Sequence, residues 1–212
     1  MATTASEAKL IQYLNEAYSK EKELETALQA HIALATRATY KKRLQQHLQE
    51  TKRHGRDVER RIKQLGGNGT AELAATVQAT AAKALALAQG PLHAVRGTGE
   101  AERQLKNAKT EYANEAEEIA TYTAIEALAE SVGDRDTAQL ARAIRRDEER
   151  MGSFLERLIP QLTRAVAQAE IPASQRRSSS RRRRSGTRSR SGGSRSNSGS
   201  GRGRRKASAS SR

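Results

Sequence analysis

Leu10, Leu14 and Tyr18, and then Leu24, Leu28 and Ile32, recur four residues apart. That spacing collects them on one side of an α-helix and scatters them over both faces of a strand. It predicts a helix from about Ser6 to Leu34, with Ser6 as its N-cap. After a break at Ala35-Thr36-Arg37, a second helix carries Leu44, Leu48, Val58, Ile62 and Leu65, and ends at Gly66-Gly67-Asn68-Gly69.

An Ala-rich segment, Thr70 to Gln89, closed by Gly90-Pro91, reads as helical but is too uniformly small to form a main core wall. The third long helix is predicted over about Glu100 to Val132, with Ala108, Tyr112, Ile119, Tyr122 and Ala129 inward, stopping at Gly133-Asp134. A fourth, beginning near Asp136, carries Leu140, Ile144, Met151, Leu155, Leu158 and Leu162, and frays before Ile171-Pro172. Pro160 should kink or shorten it, because proline lacks the amide hydrogen that an inner turn needs.

Strand signals are missing, since β-branched runs are short and period-two alternation does not persist. Two short links and one long one among four helices predict an all-α protein, a ferritin-like four-helix bundle with a long crossover between helices two and three. Glycine breaks and the drifting 3.6 period argue against a coiled-coil rod.

The bundle is expected to occupy residues 1–172, with a separate tail over 173–212. Between Ser174 and Arg212 the chain has fourteen basic residues, no acidic one, and no Leu, Ile, Val, Phe, Tyr or Trp. Such a segment has nothing to bury and is expected to stay a disordered polycation. The whole chain holds 39 Lys and Arg against 24 Asp and Glu. The tail carries almost all of that excess, so the isoelectric point near 10.6 describes the tail and not the bundle.

Arg176, Arg177, Arg181, Arg182, Arg183, Arg184, Arg188, Arg190, Arg202, Arg204, Arg205 and Lys206 are the candidate contacts to the phosphates of DNA or RNA. Without interleaved aromatics, base stacking and sequence-specific readout are not expected. The chain has no cysteine, which excludes disulfides, thiolate metal sites and thiol catalysis. Its first residues have no basic n-region and no long apolar run, so they are not expected to be a secretory signal. No uninterrupted apolar run reaches membrane-spanning length. A cytoplasmic protein, associated with the nucleoid and with no membrane, is expected.

Several acidic residues fall on the apolar stripes. Glu21 lies seven residues from both Leu14 and Leu28. Glu115 sits between Tyr112 and Ile119 with Glu118 at the stripe's edge, and Glu148 follows Ile144 by one turn. A buried carboxylate is costly unless it is paired, hydrogen-bonded or bound to a metal. Helix two adds Glu50 and His54, with His47 near the same face. Glu25 and Glu126 also approach apolar stripes without fitting a metal pattern, and His31 and His93 read as surface or boundary residues.

Tyr18-Ser-Lys-Glu21-Lys22, His47-Leu-Gln-Glu50-Thr51, Glu115-Ala-Glu-Glu118-Ile119-Ala120-Thr-Tyr122, Leu128-Ala-Glu-Ser-Val-Gly133 and Asp147-Glu148-Glu149 resemble the YciE/YciF group of small bacterial ferritin-like proteins. The resemblance covers roughly Leu10 to Leu162. It implies a bundle able to hold two iron ions and linked to stress responses. Carried over by position, the metal ligands it implies are Glu21, Glu50, His54, Glu115, Glu118 and Glu148. The sequence departs from that pattern in helix four, where Met151, Gly152 and Ser153 occupy the turn in which a second ligand would stand.

Two functions follow as expectations. One is a stress-associated protein that handles iron or peroxide and is held on nucleic acid by its tail. The other is a non-catalytic helical module for oligomerisation or DNA architecture, whose carboxylates are structural.

Overall fold

The computed structural model describes residues 4–67 and 99–176. The Ala-rich segment Thr70 to Gln89, His93 and the basic residues from Arg177 onward lie outside the described residues. Of the candidate nucleic-acid contacts only Arg176 falls within them.

Four long helices make up the described bundle: α1 (Ala5–Leu34), α2 (Ala38–Gln64), α3 (Glu100–Ser131) and α4 (Arg135–Glu170). No strand occurs among the described residues. The buried positions of α1 and α3 alternate steps of mostly three and four, as in Leu10, Leu14, Ala17, Glu21, Leu24, Leu28 and His31. That spacing keeps one stripe of each helix facing its neighbours.

Contacts between helices give the topology. Along α1, Glu21 meets Tyr122 and His31 meets Glu111, so α1 and α3 run antiparallel. Along α2, His54 meets Asp147 and Arg61 meets Asp134, so α2 and α4 do the same. The α1–α2 and α3–α4 pairs are antiparallel through their short links, which leaves α2 and α3 parallel. The end of α2 and the start of α3 therefore lie at opposite ends of the bundle.

Local signals fix the helix ends. Thr4, and not Ser6, caps α1: its side chain accepts from the Glu7 amide while the Glu7 carboxylate accepts from the Thr4 amide. At the end of α2 the amides of Gly66 and Gly67 donate to the carbonyls of Lys63 and Ile62. At the end of α3 those of Gly133 and Asp134 donate to Glu130 and Ala129. Both turns need a residue with positive φ, supplied by Gly66 (84°) and Gly133 (77°). Asp134 then caps α4, whose first residue, Arg135, is one before the predicted start.

Two expectations on the helices are corrected. Pro160 does not shorten α4, which runs on to Glu170. It lies on the exposed face, where water can take up the carbonyl it leaves unpaired. Tyr112 does not face inward but is 40% exposed. The buried stripe of α3 passes instead through Ala108, Glu111, Glu115, Glu118 and Tyr122.

The core is interrupted. One apolar cluster gathers Leu28, Tyr40, Leu44, Met151, Leu155 and Leu162 near the α1–α2 link. Another gathers Leu14, Val58, Ile62, Tyr122, Ile125 and Ile144 further along. Between them lies a polar layer. No helix among the described residues is long and apolar enough to cross a membrane.

Candidate metal centre

All four helices contribute to that layer: Glu21 from α1, His47 and His54 from α2, Glu115 and Glu118 from α3, and Glu148 from α4. Every one of them is buried, with Glu21 and Glu148 at 0% exposure. His47 and His54 are seven residues apart, two turns of α2, and so share a face.

Two groups of ligand atoms come together. His47, Glu115, Glu118 and Glu148 form one, and Glu21, His54 and Glu148 the other, with ligand atoms in each lying within 4.8 Å of one another. Glu148 belongs to both. Its Oε2 is 3.5 Å from His47 Nε2, and its Oε1 is 2.8 Å from His54 Nδ1. Glu115 Oε1 stands 3.1 Å from His47 Nε2, and Glu21 Oε1 is 3.6 Å from His54 Nδ1.

Outer side chains set which imidazole nitrogen faces the layer. Glu50 Oε2 is 3.2 Å from His47 Nδ1, leaving Nε2 to point inward. Asp147 Oδ2 is 3.1 Å from His54 Nε2, leaving Nδ1 inward, and Asp147 is itself held by Arg53 and Arg150. The Tyr122 hydroxyl donates to Glu21 Oε1 at 2.5 Å. A carboxylate behind each histidine is the usual means of orienting a metal-binding imidazole and raising its basicity.

The donor atoms pass a direct test of fit. Glu21 Oε2, Glu115 Oε2, both oxygens of Glu118 and Glu148 Oε2 are buried without a hydrogen-bond partner, while Glu148 Oε1 meets His54 Nδ1. Unpaired buried oxygens carry their full desolvation cost. Such atoms converging on shared points are what a cation needs.

The titration behaviour agrees. Burial pushes the carboxyls of Glu21 and Glu115 up to about 8, against the opposing pull of His54 and His47 respectively. Burial raises Glu118 well above the usual range, and the charges of Glu21, Glu148 and Glu115 add to it. For His47, burial disfavours the imidazolium, but the hydrogen bonds it donates to Glu115 and Glu50 outweigh it and the pKa rises. Glu50 goes the other way. Its burial cost is overcome by His47 and Arg43, and it falls to about 2.

Of the six residues that the family resemblance marks as ligands, the structure brings together Glu21, His54, Glu115, Glu118 and Glu148. Glu50 stands behind His47 and is paired to Arg43 at 2.8 Å. His47 takes the inward place, and Asp147, part of a resemblance motif but not among the implied ligands, stands behind His54. The signal for His47 was its seven-residue spacing from His54, and for Asp147 its position beside Glu148. Glu126, which fits no metal pattern, is paired instead to Arg142 and Arg145 across the α3–α4 seam.

His31 is not the surface or boundary residue expected. It is buried and contacts Glu111 across the α1–α3 interface, outside both groups.

A family profile described as a domain of unknown function, DUF892, matches residues 5–168. The chain belongs to the DUF892 family. Three solved structures are similar to it. The Xanthomonas campestris protein XCC3681 is 28% identical with a TM-score of 0.65, over 78% of this chain and 98% of that one. The stress protein YciF of E. coli is 19% identical with a TM-score of 0.60, over 76% and 98%. YcfI of Rhodopseudomonas palustris is 21% identical with a TM-score of 0.57, over 73% and 94%. Comparison with curated proteins gives no significant match. The DUF892 match and the likeness to YciF agree with the YciE/YciF resemblance carried by the sequence motifs, and the bundle is the part they cover.

Proposed function

We propose that the polar layer is a two-ion iron centre that serves oxidation of ferrous ion by dioxygen or peroxide during stress. The same proposal has the basic tail hold the protein non-specifically on DNA or RNA, in the cytoplasm at the nucleoid. The metal reading rests on the converging buried carboxylates of Glu21, Glu115, Glu118 and Glu148, each of which keeps at least one oxygen without a hydrogen-bond partner. Four carboxylates with two neutral imidazoles balance the charge of two divalent cations. An oxygen-rich set with two imidazoles and no thiolate suits iron or manganese.

Bound iron would supply the electron transfer. The protein's residues do the rest. Glu148 offers one oxygen to each position, Tyr122 holds Glu21, and Glu50 and Asp147 fix the histidines. The apolar clusters on either side exclude bulk water. The stress role is carried over from YciF, whose likeness supports the fold.

Anaerobic loading with ferrous ion is expected to leave about two irons per chain. Exposure to air should then bring up ferric absorption that Glu21→Ala and Glu115→Ala lose. Iron near zero after loading would leave the non-catalytic module as the surviving reading.

The tail makes a separate prediction. A chain ending at Pro172 should keep its helical circular dichroism but no longer retard DNA at low salt. The full chain should show a salt slope of roughly 0.9 per phosphate neutralised. Equal retardation by both chains would refute the tail's role.

A further inference from the structure

The turn of α4 that lacks a second ligand does something else. A cleft of about 200 Å³ opens between α3 and α4, lined by Tyr112, Glu115, Ala116, Ile119, Glu149, Gly152, Ser153 and Glu156. Glu115 belongs to the polar layer, and its Oε2 is buried and unpartnered. The cleft therefore reaches from the outer surface to the side of a residue of the centre. All the charged side chains that line it are acidic, and of these Glu149 is paired to Arg145 at 2.7 Å.

Gly152 sits four residues after Glu148, one turn along the same helix. It is buried, and an added Cβ would stand 3.8 Å from Glu115 Cβ and 3.9 Å from Ile119 Cδ1, ordinary contact distances. Close packing therefore does not require a glycine here. Its backbone is helical, so conformation does not require it either. Glycine in the middle of a helix costs about 1 kcal/mol relative to alanine. Its missing side chain leaves room in the cleft beside Glu115 Cβ and Ile119.

We infer that the α3–α4 cleft is the entry route for divalent cations to the polar layer, kept open by Gly152 and lined by Glu156 at its mouth and Glu115 at its inner end. The inference rests on the metal reading above and adds a route to it. An uncharged oxidant gains nothing from acidic walls, whereas a dication is drawn along them.

The test is stopped-flow mixing of the full chain with Co²⁺. Tyrosine fluorescence serves as the signal, since the chain has no tryptophan and Tyr122 touches Glu21. Metal analysis after desalting gives the final stoichiometry. Gly152→Met should slow uptake by about tenfold or more, with the same final stoichiometry. Glu156→Gln, on the exposed rim, should slow it by about two- to threefold and flatten its salt dependence.

Unchanged rates in both variants, with normal stoichiometry, would overturn the route while leaving the centre intact. If Gly152→Met fails to fold, the rate and salt dependence of Glu156→Gln decide alone. Failure of the unaltered chain to take up Co²⁺ would overturn the centre and the route together.

Discussion

Glu118→Gln should make the metal-free protein more stable and deprive the metal-loaded one of most of its gain. Both Glu118 oxygens are buried without a partner, at 1% exposure of the residue. Burial and neighbouring carboxylates hold its pKa well above the usual range. A glutamate in the unfolded chain titrates near 4.5, whereas folded Glu21 and Glu115 titrate near 8. Between those values the folded state binds more protons than the unfolded one, so stability falls as pH rises.

His47 and His54 act in the same direction. Their pKa values are raised in the folded state, so the stabilisation they give is complete below about 6.5 and is lost as pH climbs through the folded values. Glutamine stays neutral throughout. Its advantage should be near zero at pH 4 and reach about 2 kcal/mol at pH 8, roughly 6 °C in Tm for a chain of this size. Cations reverse the order, because they take the ionised carboxylates and release protons. Thermal melts at pH 4 and pH 8, with chelator and with Mn²⁺, read all four conditions. A gain equal at both pH values would point to packing instead of charge and sink the explanation.

Asp134→Ala carries the second large effect. Asp134 Oδ1 and Oδ2 accept from Arg61 Nη2 at 2.7 and 2.8 Å, Oδ1 accepts from the Thr137 amide, and Oδ2 accepts from the Thr137 hydroxyl. The Arg61 side chain is only 14% exposed. Losing the cap costs about 1 kcal/mol, and leaving a largely buried guanidinium without this partner about 2 more. Asp134→Asn, which can still cap α4, should recover about 1 kcal/mol.

The sign with pH is opposite to that of the polar layer. Burial works against the Asp134 carboxylate, but Arg61 and Thr137 outweigh it and lower the pKa. Its contribution is present above about 4 and lost as pH falls through the folded value. Urea unfolding at pH 7 and at pH 3 should therefore show a wide gap between wild type and Asp134→Ala, then a narrow one. A gap of the same width at both would contradict the role of charge.

Much of the fold was legible because it depends on local signals. Leucines at helical spacing marked the helices, and Gly66 and Gly133 marked their ends through the positive φ that other residues resist. The misreadings came where local pattern meets a distant partner. Tyr112 looked like core because it is aromatic, yet α3 turns Glu111 inward to meet His31, eighty residues away in the chain. Spacing alone could not separate His47 from Glu50, since both lie near the face of His54. Glu115 and Glu148, from other helices, draw His47 in, while Arg43 on α2 itself holds Glu50 aside. Thr4 and Glu7 did contain a readable capping box, which Ser6 obscured.

The polar layer between the two apolar clusters also determines how the helices align. Leucine-rich seams tolerate sliding, because one turn of displacement exchanges one apolar side chain for another. Here a shift of one turn, about 5.4 Å, would carry Glu21 or Glu148 into an apolar cluster and leave it charged among leucines and isoleucines. The carboxylates cost stability in the metal-free state, yet they leave the four helices a single register in which their charges can meet.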